Sequence, residues 1–137
     1  MAALAVLRRY GLSPERVLFA FIIVLALTLN VGFTVGDLTD PEQHNRYELF
    51  GALVVSLIAT VMKFGDRSPL GSTMLATSLV ADLQLISAAV CWGLYAGFGS
   101  EISAGQLATV VSLAIGALVA NIISVVLLVI EVANLRR

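Results

Sequence analysis

The 137-residue chain has few charged residues, one cysteine and one histidine. Charged residues make up 12% of the chain and hydrophobic residues 59%, with a mean hydropathy of +0.99. Soluble domains carry about 25% charged residues, so this chain lacks the polar side chains needed to cover a water-facing surface. Cys91 has no second cysteine with which to form an intrachain disulfide. The composition therefore excludes a disulfide scaffold and indicates an integral membrane protein that has the lipid bilayer as its solvent.

The residue patterns of most enzymes are also missing. The sequence has no phosphate-binding loop, no Cys/His set with metal-ligand spacing and no nucleophile paired with a base. The single histidine, His44, lies between two apolar runs. We therefore expect no enzymatic activity, no cofactor and no nucleic-acid partner.

Long apolar runs dominate what the sequence does contain. Four runs have at least the 17 or so mostly apolar residues that a membrane-spanning helix requires, at about residues 17–35, 47–64, 70–98 and 107–135. Helices are favoured because lipid offers no partners for unpaired backbone groups. We therefore predict one all-α domain over residues 1–137, a polytopic membrane protein with four transmembrane helices.

The basic residues predict how these helices are oriented. Seven of the eight Lys and Arg residues fall on one side of the predicted membrane: Arg8, Arg9, Arg16, Lys63, Arg67, Arg136 and Arg137. Only Arg46 falls on the other side. The positive-inside rule therefore places both termini and the 63–69 turn in the cytoplasm. Trp92 and Tyr95 lie near the opposite end of the third span, where an aromatic belt is expected.

Asp82 is the only charged residue in the run from Leu70 to Phe98. A charged carboxylate at this depth costs at least about 2.5–3.5 kcal/mol on insertion scales, so it needs partners. At 1.5 Å per residue, Asp82, Asn30 and Asn121 all lie about 18–21 Å from the inner ends of their helices. Ser78 lies one turn below Asp82 on the same face. We therefore expect these four residues to form one polar layer inside the protein.

The layer has two interpretations, and both stay open at this point. It could hold the helices together through hydrogen bonds, or it could be an ion or proton site, which intramembrane carboxylates commonly mark. Gln84 points away from Asp82 around the helix and is expected to contact another helix or a neighbouring subunit.

The fourth span carries a second acid and a row of small residues. Glu131 is expected to pair with Arg136 or with a basic residue of the 63–67 turn, although it would form an inner ring if helices surrounded a pore. Small residues recur at every fourth position: Ala108, Ser112, Gly116, Ala120 and Ser124. Such residues let helices approach closely, either within one subunit or between subunits.

The outer loop is acidic and contains Asp37, Asp40, Glu42 and His44. These side chains could hold a divalent cation, but their spacing matches no recognised metal site. A solvated acidic loop is the favoured interpretation. It would concentrate cations at an external mouth.

Several segments together carry a family resemblance: "RYELF" (46–50), "KFGDRS" (63–68), "ATSLVADLQLIS" (76–87), "SVVLLVIE" (124–131) and "LRR" (135–137). In these the chain resembles a family of small bacterial four-span membrane proteins of unknown function. The resemblance implies a location in the bacterial inner membrane and marks Asp82, Gln84 and Glu131 as positions of the family pattern. It carries no established activity.

The functional expectation is ion transport by a homo-oligomeric cation channel or ion-conducting subunit, with Asp82 at a mid-membrane site. Its grounds are the buried acid, the polar layer and the acidic outer loop. The alternative, from a different class, is a structural or accessory subunit of a membrane complex with no transport activity of its own.

Overall fold

The computed structural model describes residues 2, 5, 14–35, 44, 46–97 and 102–135. Within these residues the chain forms four long helices: α1 (Pro14–Thr34), α2 (Arg46–Lys63), α3 (Pro69–Ala96) and α4 (Ala104–Leu135). Each helix begins and ends within about three residues of a predicted apolar run, because apolar content sets helix length in lipid. The all-α fold predicted from the sequence is confirmed.

The helices form a bundle in which each packs against the next along the chain, and α1 also packs against α4. The contact between α3 and α4 is the most extensive. The interior has two apolar clusters. The larger one includes Phe33, Leu85 and Trp92, and the smaller one lies towards the α2–α3 turn and includes Phe19 and Met74.

The bundle has an apolar exterior and a partly polar interior, the reverse of a soluble protein. Large apolar side chains are exposed on all four helices, whereas the following polar residues are buried: Asn30, His44, Ser56, Thr60, Lys63, Ser78, Asp82, Asn121 and Ser124. Among the described residues, α1, α3 and residues 104–134 of α4 are long and apolar enough to cross a membrane. These features indicate a membrane-embedded protein.

Helix α2 differs from the other three helices. It has 18 residues, which span about 27 Å at 1.5 Å per residue, and it carries Arg46, Glu48 and Lys63 at its ends. With three charged residues in its 18, α2 is too polar to be identified as a membrane-spanning helix from length and composition alone. A fourth span and the cytoplasmic placement of the termini therefore stay predictions.

The turn between α2 and α3 is fixed by a network around Asp66. Gly65 adopts a φ of 91°, which favours glycine. Asp66 Oδ1 accepts hydrogen bonds from the Ser68 backbone N–H (3.0 Å) and from the Ser68 hydroxyl (2.8 Å). Ser68 Oγ in turn accepts from the Gly71 N–H at 3.0 Å, which caps the N-terminus of α3. The Asp66 carboxyl group packs directly against Gly71.

We predict that Gly71→Ala destabilises the protein. The new methyl group would overlap the Asp66 carboxyl group and displace it from Ser68, at a cost of about 1 kcal/mol, as for loss of a helix cap. Thermal unfolding in mild detergent measures the change. Gly93→Ala is the matched control on the same helix, because a Cβ there meets nothing within 4 Å. An equal effect of the two substitutions would contradict the role of Asp66 in holding the N-cap residue Ser68.

Asp66 also predicts a pH dependence. The hydroxyl and the backbone N–H of Ser68 stabilise the Asp66 carboxylate and hold its pKa below the usual value, with a further contribution from Lys63. The folded pKa is lower than the unfolded one, so the stabilisation is complete above the unfolded pKa, near 3.9, and is lost as the pH falls through the folded pKa. The stability difference between wild type and Asp66→Asn should therefore be constant above about pH 5 and shrink as the pH falls from there through the folded pKa. A difference that stays constant over this fall in pH would contradict the assignment.

Candidate functional site

Asp82 lies in the bundle interior with 5% of its surface exposed, where α3 packs against α2. Ser56 Oγ donates a hydrogen bond to Asp82 Oδ1 at 2.6 Å, and Thr60 Oγ1 lies 2.5 Å from Asp82 Oδ2. Ser56 and Thr60 are one turn apart on α2, so their hydroxyl groups point to the same side of the helix. Together they hold both carboxyl oxygens of Asp82.

The hydrogen-bond geometry accommodates both protonation states of Asp82. Thr60 Oγ1 lies 3.0 Å from the Ser56 carbonyl oxygen as well as 2.5 Å from Asp82 Oδ2, and its hydroxyl has one proton to donate. If Asp82 is ionised, Thr60 and Ser56 both donate to the carboxylate. If Asp82 is protonated, it donates to Thr60 Oγ1, and Thr60 donates to the Ser56 carbonyl. The proton can therefore be bound or released without movement of the heavy atoms.

Asn30 and Asn121 form a separate polar contact between α1 and α4. With the Asn30 amide oriented to satisfy its surroundings, its nitrogen donates to the Ala114 carbonyl at 3.0 Å. Its oxygen accepts from Asn121 Nδ2 and from the Leu118 N–H, both at 3.1 Å. The sequence predicted one layer that includes Asp82. The structure instead pairs the two asparagines with each other and gives Asp82 its hydrogen bonds on α2.

Ser78 and Gln84 lie on either side of Asp82 along α3. Ser78 is 2% exposed, and its hydroxyl has no hydrogen-bond partner within the described part of the chain. An unsatisfied buried hydroxyl costs about 1–3 kcal/mol. The Gln84 amide lies against Gly116 of α4, so Gln84 contacts another helix of the same subunit, one of its two expected neighbours.

A second charged centre lies at the C-terminal end of α2. Lys63 is 8% exposed, and its Nζ lies 3.5 Å from Glu131 Oε2 and 3.4 Å from Asp66 Oδ2. It also lies 4.3 Å from the centre of the Phe19 ring, a cation–π distance. Arg16 Nη1 reaches the other oxygen of Glu131 at 3.6 Å. The expected pairing of Glu131 with a basic residue of the 63–67 turn is confirmed through Lys63, whereas Arg136 lies outside the described residues.

A cavity of about 380 Å³ opens beside this charged centre. It is lined by α1, α2, α4 and the α2–α3 turn, with both charged and apolar side chains. Its charged lining residues are Glu15, Arg16, Lys63, Asp66 and Glu131.

The row of small residues on α4 is only partly buried. Ala120 and Ser124 face the interior, Ala108 and Gly116 are half-buried, and Ser112 is exposed. Ser124 Oγ lies 2.6 Å from Thr77 Oγ1, a hydrogen bond that joins α4 to α3. The inner part of the row therefore packs within one subunit, and a contact between subunits stays a prediction.

The end of the bundle opposite the α2–α3 turn differs from the expected solvated loop. His44 is 3% exposed, and its Nδ1 lies 2.6 Å from the Phe33 carbonyl oxygen. Phe33 packs against both His44 and Trp92, so Trp92 belongs to the core rather than to an exposed aromatic belt. The other weak metal candidates, Asp37, Asp40 and Glu42, lie outside the described residues. The residues that the structure describes contain no group of three or more His, Cys, Asp or Glu side chains that could hold a metal ion.

Ser56 and Thr60 are the site residues that sequence reasoning missed. Hydroxyl side chains are common in apolar helices because they can bond to their own backbone. The available signal was their spacing: two hydroxyl groups at i and i+4 on the helix next to an intramembrane acid. That pattern matches the two oxygens of one carboxyl group.

Comparison with curated proteins and with solved structures yields no match for the chain. Residues 43–132 match a family described as a "Family of unknown function (DUF6394)". The matched region includes Asp82, both of its hydroxyl partners, Lys63 and Glu131. Because it covers most of the chain, the protein belongs to this family of unknown function, DUF6394.

Proposed function

We propose that the protein transports a cation across a membrane, with the proton as the cation that best fits the site, and that Asp82 is the mid-membrane binding group. The observation that carries this proposal is the clamp on Asp82: two hydroxyl groups at 2.5–2.6 Å can satisfy the carboxyl group with or without its proton. A purely structural carboxyl group needs to be satisfied in only one state. Intramembrane carboxylates that change protonation state commonly lie on proton paths.

The surroundings of Asp82 favour a proton over a hydrated ion. Both carboxyl oxygens are occupied by side-chain hydroxyl groups, and Asp82 is 5% exposed. Four helices of this size enclose too little space for a hydrated pore. A proton needs no hydration shell at the site and can pass between hydrogen-bonded groups. The proposal therefore places one proton site within each subunit.

The wider setting belongs to the same proposal. We propose a homo-oligomer in the bacterial inner membrane, with four spans per subunit and both termini in the cytoplasm. The grounds are the family resemblance and the distribution of basic residues. In this orientation Lys63, Glu131 and the cavity lie towards the cytoplasm.

One observation favours a second candidate, a structural or accessory subunit. The hydrogen bonds of Asp82 tie α2 to α3, as buried polar groups do in many helix bundles. In that case the carboxyl group would keep one protonation state, and the protein would transport nothing by itself.

Proton flux into proteoliposomes distinguishes the two candidates. Wild-type protein should acidify the lumen when a pH difference and a counter-ion pathway are supplied, and Asp82→Asn should lower the rate by about tenfold or more, because it removes the titrating group. Asparagine reproduces the hydrogen bonds of the protonated state, since its amide can donate to Thr60 and accept from Ser56. The variant should therefore fold, and its thermal stability in detergent checks this.

The control for this flux experiment is Thr77→Val, which removes the hydrogen bond to Ser124 between α3 and α4 and leaves Asp82 unchanged. It should retain flux close to that of wild type. Equal rates for wild type and Asp82→Asn would show that the charge of Asp82 is dispensable. Folded wild-type protein that moves neither protons nor other cations faster than empty liposomes would favour the accessory role.

Cysteine labelling tests the proposed orientation. In a Cys91→Ala background, Ser72→Cys and Tyr47→Cys place thiols at exposed positions near opposite ends of the bundle. A membrane-impermeant thiol reagent added to intact cells should label Tyr47→Cys and spare Ser72→Cys until the cells are opened. Labelling of Ser72→Cys alone in intact cells would reverse the orientation. Labelling of both residues from outside would contradict a spanning α2, the helix that separates them.

A further inference from the structure

We infer that, in this conformation, Asp82 exchanges protons with one side of the membrane only, through the charged cavity at the C-terminal end of α2, while the opposite half of the bundle is closed; transport would then require a second conformation that opens the other side. This inference rests on the proposed function of Asp82 as the transport site and adds the route by which that site is reached. Four features of the described residues carry it: the offset of α2 along α3, the charge of the cavity, the polar groups below Asp82 and the apolar packing above it.

The offset of α2 brings the cavity deep into the bundle. Asp82 bonds to Ser56 and Thr60, and α2 runs antiparallel to α3 and ends at Lys63. The last residue of α2 therefore lies level with about residue 77 of α3, and α3 continues for about 12 Å beyond that level, to Pro69. Met62 and Lys63 at this end of α2 line the cavity. Along α2, the cavity therefore reaches to within three residues of Thr60, which contacts Asp82.

The charge of the cavity favours cations over anions. Its lining includes three carboxylates, Glu15, Asp66 and Glu131, and two cationic groups, Arg16 and Lys63. Among the described residues of the lining, the formal charges sum to −1. A confined surface with net negative charge and apolar walls concentrates cations and repels anions.

Polar groups lie between the cavity and Asp82, beside the smaller apolar cluster that includes Phe19 and Met74. Lys63 lines the cavity, and Thr60, which contacts Asp82, lies on the same face of α2 about 4.5 Å further along the axis. On α3, Ser78 lies one turn from Asp82 towards the same end. Its hydroxyl is buried and has no hydrogen-bond partner among the residues that the structure describes. A water molecule that reached Ser78 from the cavity would satisfy this hydroxyl group and lie about one turn from the carboxyl group.

Beyond Asp82, towards the opposite end, the interior is apolar. Leu85, Ala88 and Trp92 follow Asp82 along the inner face of α3, and Phe33 and Leu49 pack against them. Four of these five residues have no exposed surface, and Trp92 is 8% exposed. Within the described residues, this half has no series of buried polar side chains along α2 and α3 comparable to Lys63, Thr60 and Ser78 on the cavity side.

The test is the reactivity of single cysteines on the two sides of Asp82. Ser78→Cys and Ala88→Cys, each in a Cys91→Ala background, place small thiols at buried positions of the same helix, four residues before and six residues after Asp82. The probes are membrane-impermeant methanethiosulfonates, one with a trimethylammonium group and one with a sulfonate group. They are applied separately to right-side-out and inside-out membrane vesicles. Ser72→Cys, exposed at the cavity end, identifies the side on which the cavity opens.

Ser78→Cys should react from the same side as Ser72→Cys, and about tenfold or more faster than Ala88→Cys, because the apolar half is closed to water. The cationic probe should react faster than the anionic one at Ser78→Cys, but not at Ser72→Cys. The inference is wrong if Ser78→Cys is as protected as Ala88→Cys, if it reacts equally from both sides, or if the two probes react with it at equal rates.

The labelling result is independent of transport, so the two proposals can fail separately. If Ser78→Cys is labelled from one side only in a protein that moves no protons, the access route is supported and transport is rejected. Asp82-dependent proton flux in a protein whose Ala88→Cys reacts as fast as Ser78→Cys would support transport and reject one-sided access.

Discussion

The hydrogen bonds between Asp82 and the two hydroxyl groups of α2 join α2 to α3 at a defined offset. Ser56 and Thr60 each bond to one oxygen of the same carboxyl group, so a shift of α2 along α3 would break one or both bonds. That offset ends α2 well before the level at which α3 begins, so Lys63 lies inside the bundle rather than at its edge. The cost of burying its ammonium group then requires partners at the same depth, and Glu131 and Asp66 supply them.

The position of the charged centre therefore depends on the hydrogen bonds of Asp82, because both are set by the offset of α2 along α3. Lysines at helix ends commonly extend to the membrane surface, whereas Lys63 is buried. With the clamp in place, Lys63 is held between α1 and α4 by Glu131 and by the ring of Phe19. The resulting cavity has charged residues in its lining and lies at the end of the bundle where α2 ends. We propose that this asymmetry gives Asp82 a direction of access.

Much of the fold could be predicted because lipid imposes simple requirements on sequence. Apolar runs of sufficient length predicted all four helices to within a few residues, and Asp82 was expected to face inward because exposure to lipid is costly. Glu131 was expected to pair near the α2–α3 turn. Each of these predictions depends on depth along a helix, and depth follows from residue number at 1.5 Å per residue.

The partners of Asp82 could not be predicted in the same way. Depth placed Asn30 and Asn121 level with it, but which side chains meet depends on how each helix is rotated and offset, and that follows from packing of the whole bundle. The asparagines bond to each other and to the backbone of α4. His44 shows the same limit at the outer end: its position in a polar stretch indicated solvent, whereas its contact with Phe33 buries it.

The central claim is that the Asp82 carboxyl group binds and releases a proton, and infrared difference spectroscopy tests it most directly. Reconstituted protein is titrated with acid while the carbonyl-stretch band of protonated carboxylic acids is followed. The account predicts a band that appears on acidification in wild type and in Glu131→Gln and is missing from Asp82→Asn. The contradicting result would come from folded protein titrated across the accessible pH range. If wild type showed no pH-dependent carboxyl band, or only bands that persist in Asp82→Asn, the Asp82 carboxyl group would have a fixed protonation state.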